Sequence, residues 1–424
     1  MIKALKNIIK KYYKINSSNK DIKFVNKETK VDKIFDSISK FSETSEARYV
    51  GGVVRKIINN EKIDDIDLAT NIIPSEVCEV LKKNNISFYK SGIDHGTITA
   101  KIDDKNFEVT TLRKDISTDG RHAKVQFTKD WFQDASRRDF TINAIYSDIN
   151  GNLYDPFNGK KDLKNGIVKF IGEPERRIRE DYLRIVRYIR FHLNYSKIKH
   201  EEKTIKEIRQ NLNGVTKISS ERLIDEFRKL VMSKGFLNIH KDNFSLEIIK
   251  LIYPELVNLK IIKNLNPHLI KIFEKKDFIF LVSLLVINDK NNSEYFIYKY
   301  NISNEDKKRI KFLQDAYLKI FDKNFFNEKN LWKIFYLNGR NSLNDLINFK
   351  LFQNKKLDQK LIKLSEYFKN QEVPKLDIKA KTLIDKFNFK EGKELGDKLK
   401  EIEKFWLNNS FKINDKELKQ IINN

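Results

Sequence analysis

The chain contains almost no cysteine. Cys78 is the single cysteine among 424 residues, which excludes a disulfide framework and fits a reducing compartment. Six scattered histidines and this cysteine show no spacing typical of zinc ligands. A chain of this length is long enough for more than one domain and for a buried core. We therefore expect a multidomain protein that is not stabilised by disulfides or zinc.

Long apolar runs are also missing. None reaches the roughly 20 residues that a transmembrane helix needs, and no signal peptide is visible. The first 20 residues are basic, acid-free and amphipathic. They could mimic a transit peptide or contact RNA, although a solvated terminal helix is the simpler interpretation. We expect a cytoplasmic protein without a membrane partner, with residues 1–30 as a basic N-terminal extension.

Glycine becomes scarce in the second half of the chain. Eleven of the fourteen glycines lie in the first 240 residues. Short segments separated by turns therefore give way to long segments in which apolar residues recur at helical spacing. This change predicts an α+β catalytic portion followed by an all-helical portion.

The charge is strongly positive. Lysine and arginine number 83 against 59 acidic residues, for a net charge of +24. Such an excess favours a polyanionic partner such as nucleic acid. Lysine, isoleucine, asparagine and phenylalanine are abundant throughout, so part of the excess reflects a general bias in composition.

A glycine pair and two nearby aspartates form the first candidate site. Gly51 and Gly52 allow a tight turn and a close backbone approach to a ligand, and Arg55 follows in the first turn of a predicted helix, where anions can bind. On a β-strand, Asp65 and Asp67 would project from the same face and would repel each other unless a cation lay between them. Taken alone, Asp-x-Asp is also common in surface turns.

Two further polar segments follow. Residues 113–130 predict a long loop that carries both charges, and such loops are usually functional or disordered. Arg137, Arg138 and Asp139 precede an apolar helix; they could bind phosphate or ribose, or form an ordinary ion pair at a helix start.

The segment from Glu180 to Phe191 predicts an amphipathic helix. Asp181, Arg184, Arg187 and Arg190 would form a polar stripe that winds around it and could follow an extended ligand. The alternative is a solvated face with weak Asp–Arg pairs. Residues 219–227 predict a serine-capped helix with a structural role.

Eight motifs occur in a fixed order along the chain: GGVVR, DIDLAT, GIDHGT, FEVTTLR, DGRH, RRDFTINA, DPFNG and EDYLRIVRYIRF. Their order resembles the class II tRNA nucleotidyltransferase and bacterial poly(A) polymerase family over roughly residues 48–230. That family has a polymerase-β-like head with a mixed sheet, followed by helical neck, body and tail domains. The resemblance implies a nucleotidyltransferase head at 31–171, a neck that selects the nucleotide at 172–235, and a tRNA-binding body and tail at 236–424.

The resemblance also implies roles for single residues. Asp65 and Asp67 would hold two Mg²⁺ ions for in-line displacement, with Glu108 as a third catalytic carboxylate. The family's nucleotide-binding positions correspond to Gly51, Gly52, Arg55, Arg138 and Asp139 for triphosphate and ribose, and to Asp181, Arg184, Arg187 and Arg190 along the nucleotide.

Base selection can be argued from chemistry. Cytosine and adenine each present an amine donor beside a ring-nitrogen acceptor, whereas guanine and uracil present the reverse. A carboxylate at Asp181 and a guanidinium at Arg184 would therefore select CTP and ATP together, because the wrong bases leave buried polar groups without partners.

Two features qualify the resemblance. Lys56 stands where the family usually has an acidic residue, and Asn59 or Asn60 replaces a usual glycine, which puts the geometry of the first helix in doubt. The Asp119–His122 segment is intact, and the family's CC-adding enzymes lack an element of this loop.

The sequence therefore predicts a CCA tRNA nucleotidyltransferase that acts on tRNA and needs no evident protein partner. The alternatives are a poly(A) polymerase, an enzyme that adds only A, and an RNA-binding protein with an inactive head.

Overall fold

The computed structural model describes residues 28–63, 65–117, 124–322, 324–354 and 357–423. The expected basic extension therefore lies largely outside the described residues, as does the Asp119–His122 segment. The described chain divides after Ile252 into two units. Within these ranges, none of the helices combines the length and apolarity needed to cross a bilayer.

A mixed seven-stranded sheet is the centre of the first unit. Its strand order is β3-β4-β5-β2-β1-β8-β9. Strands β2 and β5 pair in parallel, and the other neighbours are antiparallel. The strands are β1 Ala47–Val50, β2 Asp67–Thr70, β3 Ser87–Gly92, β4 Thr97–Ile102, β5 Lys105–Thr111, β8 Tyr146–Ser147 and β9 Leu153–Tyr154.

One face of this sheet packs against three helices. Alternate strand residues such as Leu68, Ile98 and Val109 are fully buried in this core, as expected for side chains that alternate between faces. Pro74 occupies a first helical turn, where its missing N–H is not needed. The helices are α1 Asp32–Ser39, α2 Gly52–Ile58 and α3 Pro74–Lys83.

The opposite face carries a smaller core and the polar site. Val50 and Ala69 pack there against Ala135 and Tyr146. Ala135 belongs to helix α4, Trp131–Ser136, and a 3-10 turn follows at Thr141–Asn143.

Residues 113–117 and 124–127, which belong to the predicted long loop, form strands instead. Strands β6, Arg113–Ser117, and β7, Lys124–Phe127, pair as a separate antiparallel two-stranded sheet. Strand β6 is almost entirely polar and β7 has only four residues, so the sequence favoured a loop; that prediction was wrong for the described residues of these two strands.

Helices complete the first unit. Pro174 begins α6 as proline commonly begins a helix, and Ser219 caps α9 by accepting a hydrogen bond from the Arg222 N–H. The helices are α5 Gly159–Asn165, α6 Pro174–Glu180, α7 Leu183–Tyr195, α8 Glu202–Asn211, α9 Ser220–Val231 and α10 Asn243–Ile252.

The predicted continuous helix from residue 180 to 191 is interrupted. Helix α6 ends at Glu180, Asp181 is extended with φ −158° and ψ 105°, and α7 begins at Leu183. The Asp181 side chain accepts a hydrogen bond from the Leu183 N–H. Asp181 and Arg184 therefore do not share one helix, and the predicted winding stripe is wrong at its first residue.

The second unit is helical in all its described regular elements. Helix α13 is buried along its whole length, and α16 breaks at Gly339, whose φ of 77° and ψ of 173° are not helical. The helices are α11 Lys260–Lys263, α12 Pro267–Phe273, α13 Phe278–Val286, α14 Asn292–Lys299, α15 Asn304–Ala316, α16 Glu328–Gln353, α17 Gln359–Lys369, α18 Ala380–Phe387, α19 Lys393–Asn408 and α20 Asp415–Asn423. With the mixed sheet, these helices confirm the predicted α+β fold class.

Candidate active site

The catalytic carboxylates of the prediction lie at the parallel pair in the main sheet. Asp67 is the first residue of β2, and its register partner on β5 is Glu108. Both side chains project from the face that carries Ala69, because side chains alternate along each strand. Asp65 is exposed and precedes β2 instead of lying within it.

The charge around Asp67 is crowded. Burial, together with the negative charges of Glu108 and Asp65, raises the pKa of Asp67 to about 6, although Arg138 and Lys56 oppose the rise. Lys56 thus supplies positive charge near the carboxylates. A cation bound here would relieve the repulsion.

The donor set fits magnesium in its chemistry. Mg²⁺ prefers carboxylate oxygens and usually keeps several waters. In the described residues, the ligand atoms of Asp65, Asp67 and Glu108 do not all lie within 4.8 Å of one another. An ion bound here would therefore be held by two of these carboxylates and by water.

The glycine turn lies directly beside Arg138. Gly51 has a φ of 66°, and a Cβ at this position would lie 3.4 Å from the Arg138 Nη1 atom, so a side chain would be strained and crowded here. Gly52 begins α2, and a Cβ there would meet nothing within 4 Å. The turn therefore leaves room near the guanidinium.

Arg55 is buried between α2 and α7. Its guanidinium donates to Asn143 Oδ1 and lies 4.8 Å from the Phe191 ring centroid and 5.0 Å from that of Tyr195. These contacts fix the charge against aromatic faces. The structure thus places Arg55 inside the protein and not on an open turn.

A buried carboxylate holds the Arg138 guanidinium. Asp134 Oδ2 lies 3.1 Å from Arg138 Nη2 and accepts from the Tyr146 hydroxyl at 2.6 Å. Arg138 Nε also donates to the Tyr146 oxygen at 2.9 Å. Burial opposes the ionisation of Asp134, but Arg138 and Arg137 outweigh it and hold the pKa of Asp134 well below its usual range.

Asp139 connects the arginine motif to helix α7. Its Oδ2 atom accepts from Arg187 Nε at 2.7 Å, and its Oδ1 atom accepts from Asn143 Nδ2 at 2.8 Å. Burial would raise the pKa of Asp139, but Arg187 and Asn143 lower it well below its usual range. Asp139 is therefore ionised and fully occupied within the protein.

The two predicted base-selecting residues are close in sequence but have different partners. Asp181 Oδ2 lies 2.7 Å from Arg222 Nη2 on α9. Arg184 Nη1 donates to Glu180 Oε2 and to the main-chain carbonyl of Arg177, each at 2.8 Å. Both groups are held by protein partners, so a base would have to compete for them.

Helix α9 supplies two charged residues that the sequence interpretation missed. Besides Arg222, Glu226 is almost fully buried and accepts from Arg190 Nε at 2.5 Å, with Arg187 Nη1 at 3.6 Å. Arg222 and Glu226 are four residues apart and so lie on one helical face. The sequence already showed these opposite charges four residues apart, and this spacing could have indicated a charged helical face on a helix predicted to be only structural.

A second group of possible metal ligands lies away from the carboxylates. Among the described residues, His192, His200 and Asp242 are the one set of three such groups within 4.8 Å of one another. The two imidazole rings stack 3.5 Å apart with planes inclined by 15°. An ion binds close to the plane of each imidazole, and two nearly parallel planes at this distance cannot share one ion. We interpret the group as a buried hydrogen-bonded cluster.

The second unit contains an open groove of about 960 Å³. Its central charges are paired, because Asp345 lies 2.8 Å from Lys276 and 2.6 Å from Arg309. The groove is therefore not a strongly basic surface.

Comparison with protein families identifies two segments of the chain. Residues 47–169 match the poly A polymerase head domain, and residues 198–260 match a probable RNA and SrmB-binding site of polymerase A. The first match includes the sheet, the carboxylates and the arginine motif.

Curated relatives match less than half of the chain. The human mitochondrial CCA tRNA nucleotidyltransferase 1 is 45% identical over 196 residues, which are 45% of this chain and 44% of that protein. A CCA-adding enzyme of Lactobacillus helveticus is 40% identical over 187 residues, 44% of this chain and 46% of that enzyme. The match thus spans less than half the length of these relatives.

Solved structures resemble the chain over more of its length. The Bacillus stearothermophilus CCA-adding enzyme in complex with CTP has a TM-score of 0.70 at 22% identity and covers 92% of this chain and 95% of its own. The Thermotoga maritima enzyme complexed with tRNA has a TM-score of 0.59 at 21% identity, covering 93% and 95%. At these identities the likeness shows the fold, which agrees with the expected head followed by helical domains. The family models thus match residues 47–169 and 198–260, and the fold over 92% of the chain is similar to that of the Bacillus stearothermophilus enzyme.

Proposed function

We propose that the chain is a CCA tRNA nucleotidyltransferase. It adds C, C and A to the 3′ end of tRNA from CTP and ATP, with no nucleic-acid template. The similarity to enzymes named for CCA addition supports this activity. Solved structures of similar fold that are complexes of CCA-adding enzymes with CTP, ATP and tRNA support it as well.

The register of Asp67 against Glu108 is the observation that carries the proposal. It brings two carboxylates to one face of the sheet, beside exposed Asp65, and the pKa of Asp67 rises to about 6 through burial and these neighbours. A site that crowds negative charge in this way suits a divalent cation better than it suits a purely structural role.

In this proposal Asp65 and Asp67 would hold two Mg²⁺ ions, with Glu108 as the third carboxylate. Such ions would supply Lewis-acid activation of the primer 3′-hydroxyl and would neutralise charge on the phosphates. Gly51 and Gly52 give the triphosphate close access to the backbone.

The arginines orient the nucleotide. Arg138, fixed by Asp134 and Tyr146, binds ribose and phosphate from the side of the glycine turn. Asp139 acts through Arg187, which it holds at 2.7 Å. Arg55 contributes positive charge from beneath α7, where it stacks on Phe191.

Asp181 and Arg184 select the base. The Asp181 carboxylate accepts from the exocyclic amine of cytosine or adenine, and Arg184 donates to the adjacent ring nitrogen. Guanine and uracil present the reverse polarity, so they leave buried donors and acceptors without partners. Arg187 and Arg190 continue toward the sugar and phosphates. Without a nucleotide, Asp181 pairs with Arg222 and Arg184 pairs with Glu180. The bound base replaces part of these contacts.

The wider assignments belong to the same proposal. The head comprises residues 31–171, the neck residues 172–235, and the tRNA-binding body and tail residues 236–424, with a basic extension at 1–30. We propose a cytoplasmic enzyme with no obligate protein partner, although the human relative is named mitochondrial.

One experiment tests the activity. The protein is incubated with Mg²⁺ and a tRNA that lacks its 3′ CCA, with CTP and ATP supplied separately and together. We expect a three-nucleotide extension only when both are present, and no extension when Mg²⁺ is chelated.

The other outcomes identify the alternatives. A long A tail from ATP alone would identify a poly(A) polymerase, and extension only of tRNA that already ends in CC would identify an A-adding enzyme. Binding of tRNA with no transfer under any condition would leave an RNA-binding protein.

A further inference from the structure

The buried side chain of Arg177 joins two separate segments of the site. Its guanidinium Nη2 atom donates to the main-chain carbonyls of Arg137 and Arg138, each at 2.5 Å. Its Nη1 atom donates to Glu180 on its own helix, α6. The side chain is 8% exposed, so these contacts are shielded from water.

The two carbonyls are an unusual target for a distant side chain. Helix α4 ends at Ser136, and carbonyls at the end of a helix lack donors within that helix. The C-terminus of a helix also favours positive charge. Arg177 meets both needs from another helix, because its planar guanidinium presents several N–H groups in a fixed arrangement.

The other end of the contact reaches the base-selecting region. Glu180 Oε2 also accepts from Arg184 Nη1 at 2.8 Å, and the same Arg184 atom donates to the Arg177 carbonyl at 2.8 Å. Two guanidinium groups therefore share one carboxylate oxygen. Burial and the charge of Arg184 lower the pKa of Arg177 to about 10.

We propose that Arg177 is a positioning residue that fixes Arg184 relative to Arg138. The inference rests on the proposed function, since it assumes that Arg138 holds ribose and phosphate and that Arg184 reads the base. Arg177 itself does not touch the nucleotide. It links the backbone that carries Arg138, through Glu180, to the guanidinium of Arg184.

The physical consequence is a coupling between transfer and selection. A nucleotide is discriminated only if the edge of its base meets Arg184 while its α-phosphate lies at the carboxylates. A displacement of ~1 Å in such an arrangement can lower the rate by ~10²-fold. Loss of the link should therefore reduce discrimination between bases as well as the overall rate.

The test compares Arg177→Lys with Arg176→Gln. Lysine keeps the positive charge but lacks the planar group needed to contact two carbonyls and a carboxylate together. Arg176 is a matched control, since it lies on the same helix, pairs with the other Glu180 oxygen at 3.2 Å, and is 82% exposed.

The measurement is the ratio of kcat/KM for CTP over UTP on tRNA lacking CCA, and for ATP over GTP on tRNA ending in CC. We expect both ratios to fall by ~10-fold or more in Arg177→Lys, as weakened hydrogen-bond selection predicts. They should remain within about twofold of wild type in Arg176→Gln.

A purely structural role gives a different result. If Arg177→Lys unfolds at a lower temperature and loses kcat/KM equally for all four nucleotides, the positioning role is overturned. Should that variant not fold, Glu180→Gln interrupts the same link, and unchanged ratios there overturn the role as well.

The wild type separates this inference from the proposed function. No transfer by the wild type overturns the proposed function and the role of Arg177 with it. Normal CCA addition by the wild type, with identical ratios in the two arginine variants, overturns the role of Arg177 alone.

Discussion

The two units bury different kinds of side chain. The second unit contains helix α13, whose nine residues are all buried, and two buried charged residues among those described, Glu255 and Asp345. The first unit, over its described residues, buries seven: Arg55, Asp134, Asp139, Arg177, Arg184, Glu207 and Glu226.

This difference separates positioning from packing. Buried ion pairs add little net stability, because the loss of hydration offsets their attraction. An apolar helix stabilises a unit through the area that it removes from water. The first unit therefore uses buried charge to fix where its arginines lie, while the second unit relies on apolar burial.

The strongest test of this contrast replaces Asp67 with Asn. In the proposed mechanism, loss of the Asp67 carboxylate removes several kcal/mol of transition-state stabilisation, and ~4 kcal/mol corresponds to ~10³-fold in rate. We expect single-turnover transfer to fall by at least that factor, with tRNA binding retained. The free energy of unfolding at pH 7 should not fall, because the substitution removes a crowded negative charge.

Asp345→Asn is the matched change in the second unit. It weakens the pairs with Lys276 and Arg309 and should lower the stability of that unit without changing the transfer step at saturating tRNA. Equal loss of transfer in both variants would contradict the division between the units.

The next largest effect concerns Glu226 and Leu284. Glu226→Gln leaves Arg190 without its buried counter-charge, removes the weaker of two such partners from Arg187, and should cost about 3 kcal/mol of stability. Leu284→Ala removes a fully buried side chain in α13 and should cost about 3 kcal/mol.

The two changes should differ in activity. Transfer per folded molecule should fall in Glu226→Gln, because its arginines lose their positions, and should remain in Leu284→Ala. Denaturant unfolding and active-site titration measure the two quantities. If the leucine variant also lost transfer per folded molecule, the second unit would have a direct part in the chemistry.

A smaller effect is expected on the free energy of unfolding when the pH is lowered, because of His192 in the first unit. Burial and the neighbouring His200 lower the pKa of His192 to about 4 from 6.5. Since the folded state disfavours its protonation, its contribution to stability is present above pH 6.5 and is lost as pH falls toward 4. The difference in unfolding free energy between pH 7 and 4.5 should therefore be up to about 2 kcal/mol larger in wild type than in His192→Phe. Equal pH dependence in the two proteins would rule out this role.

The smallest effect is expected at an exposed pair of the first unit. Arg209 and Glu247 lie 2.8 Å apart, but both side chains are about half exposed. Because water screens such pairs, Arg209→Gln should not shift the denaturation midpoint detectably. A clear shift would show that exposed charge also matters in this unit.

Strong local patterns predicted most of the head. Polar and apolar residues alternate along Thr97–Ile102, as is typical of a strand such as β4, and Pro74 stands at the start of α3, as is typical of a first helical turn. Each of these elements buries one face, so its apolar residues recur at a regular spacing that can be recognised from the local sequence. The paired carboxylates were also visible, as residue types suited to a cation.

The errors occurred where long-range contacts decide the structure. Strand β6 is almost entirely polar, and the alternation of Val125 and Phe127 in β7 is too short to distinguish a strand from a loop. The break at Asp181 has no proline or glycine to mark it; the carboxylate instead accepts from Leu183 N–H and pairs with Arg222 from α9. No local sequence pattern shows that Arg222 is the partner of Asp181. Asp181 could therefore be predicted as a candidate site residue, but its contacts could not.

The parallel pairing of β2 with β5 also has a consequence for folding. Asp67 and Glu108 become neighbours only after the chain between them, which contains α3, β3 and β4, has closed into a loop. An incompletely folded head therefore lacks the paired carboxylates, and a cation can stabilise only the assembled sheet. During synthesis, the residues of this pair leave the ribosome before those of α6 and α7. In the proposed mechanism, the chain can thus complete its catalytic acids before it completes the helices that would choose the nucleotide.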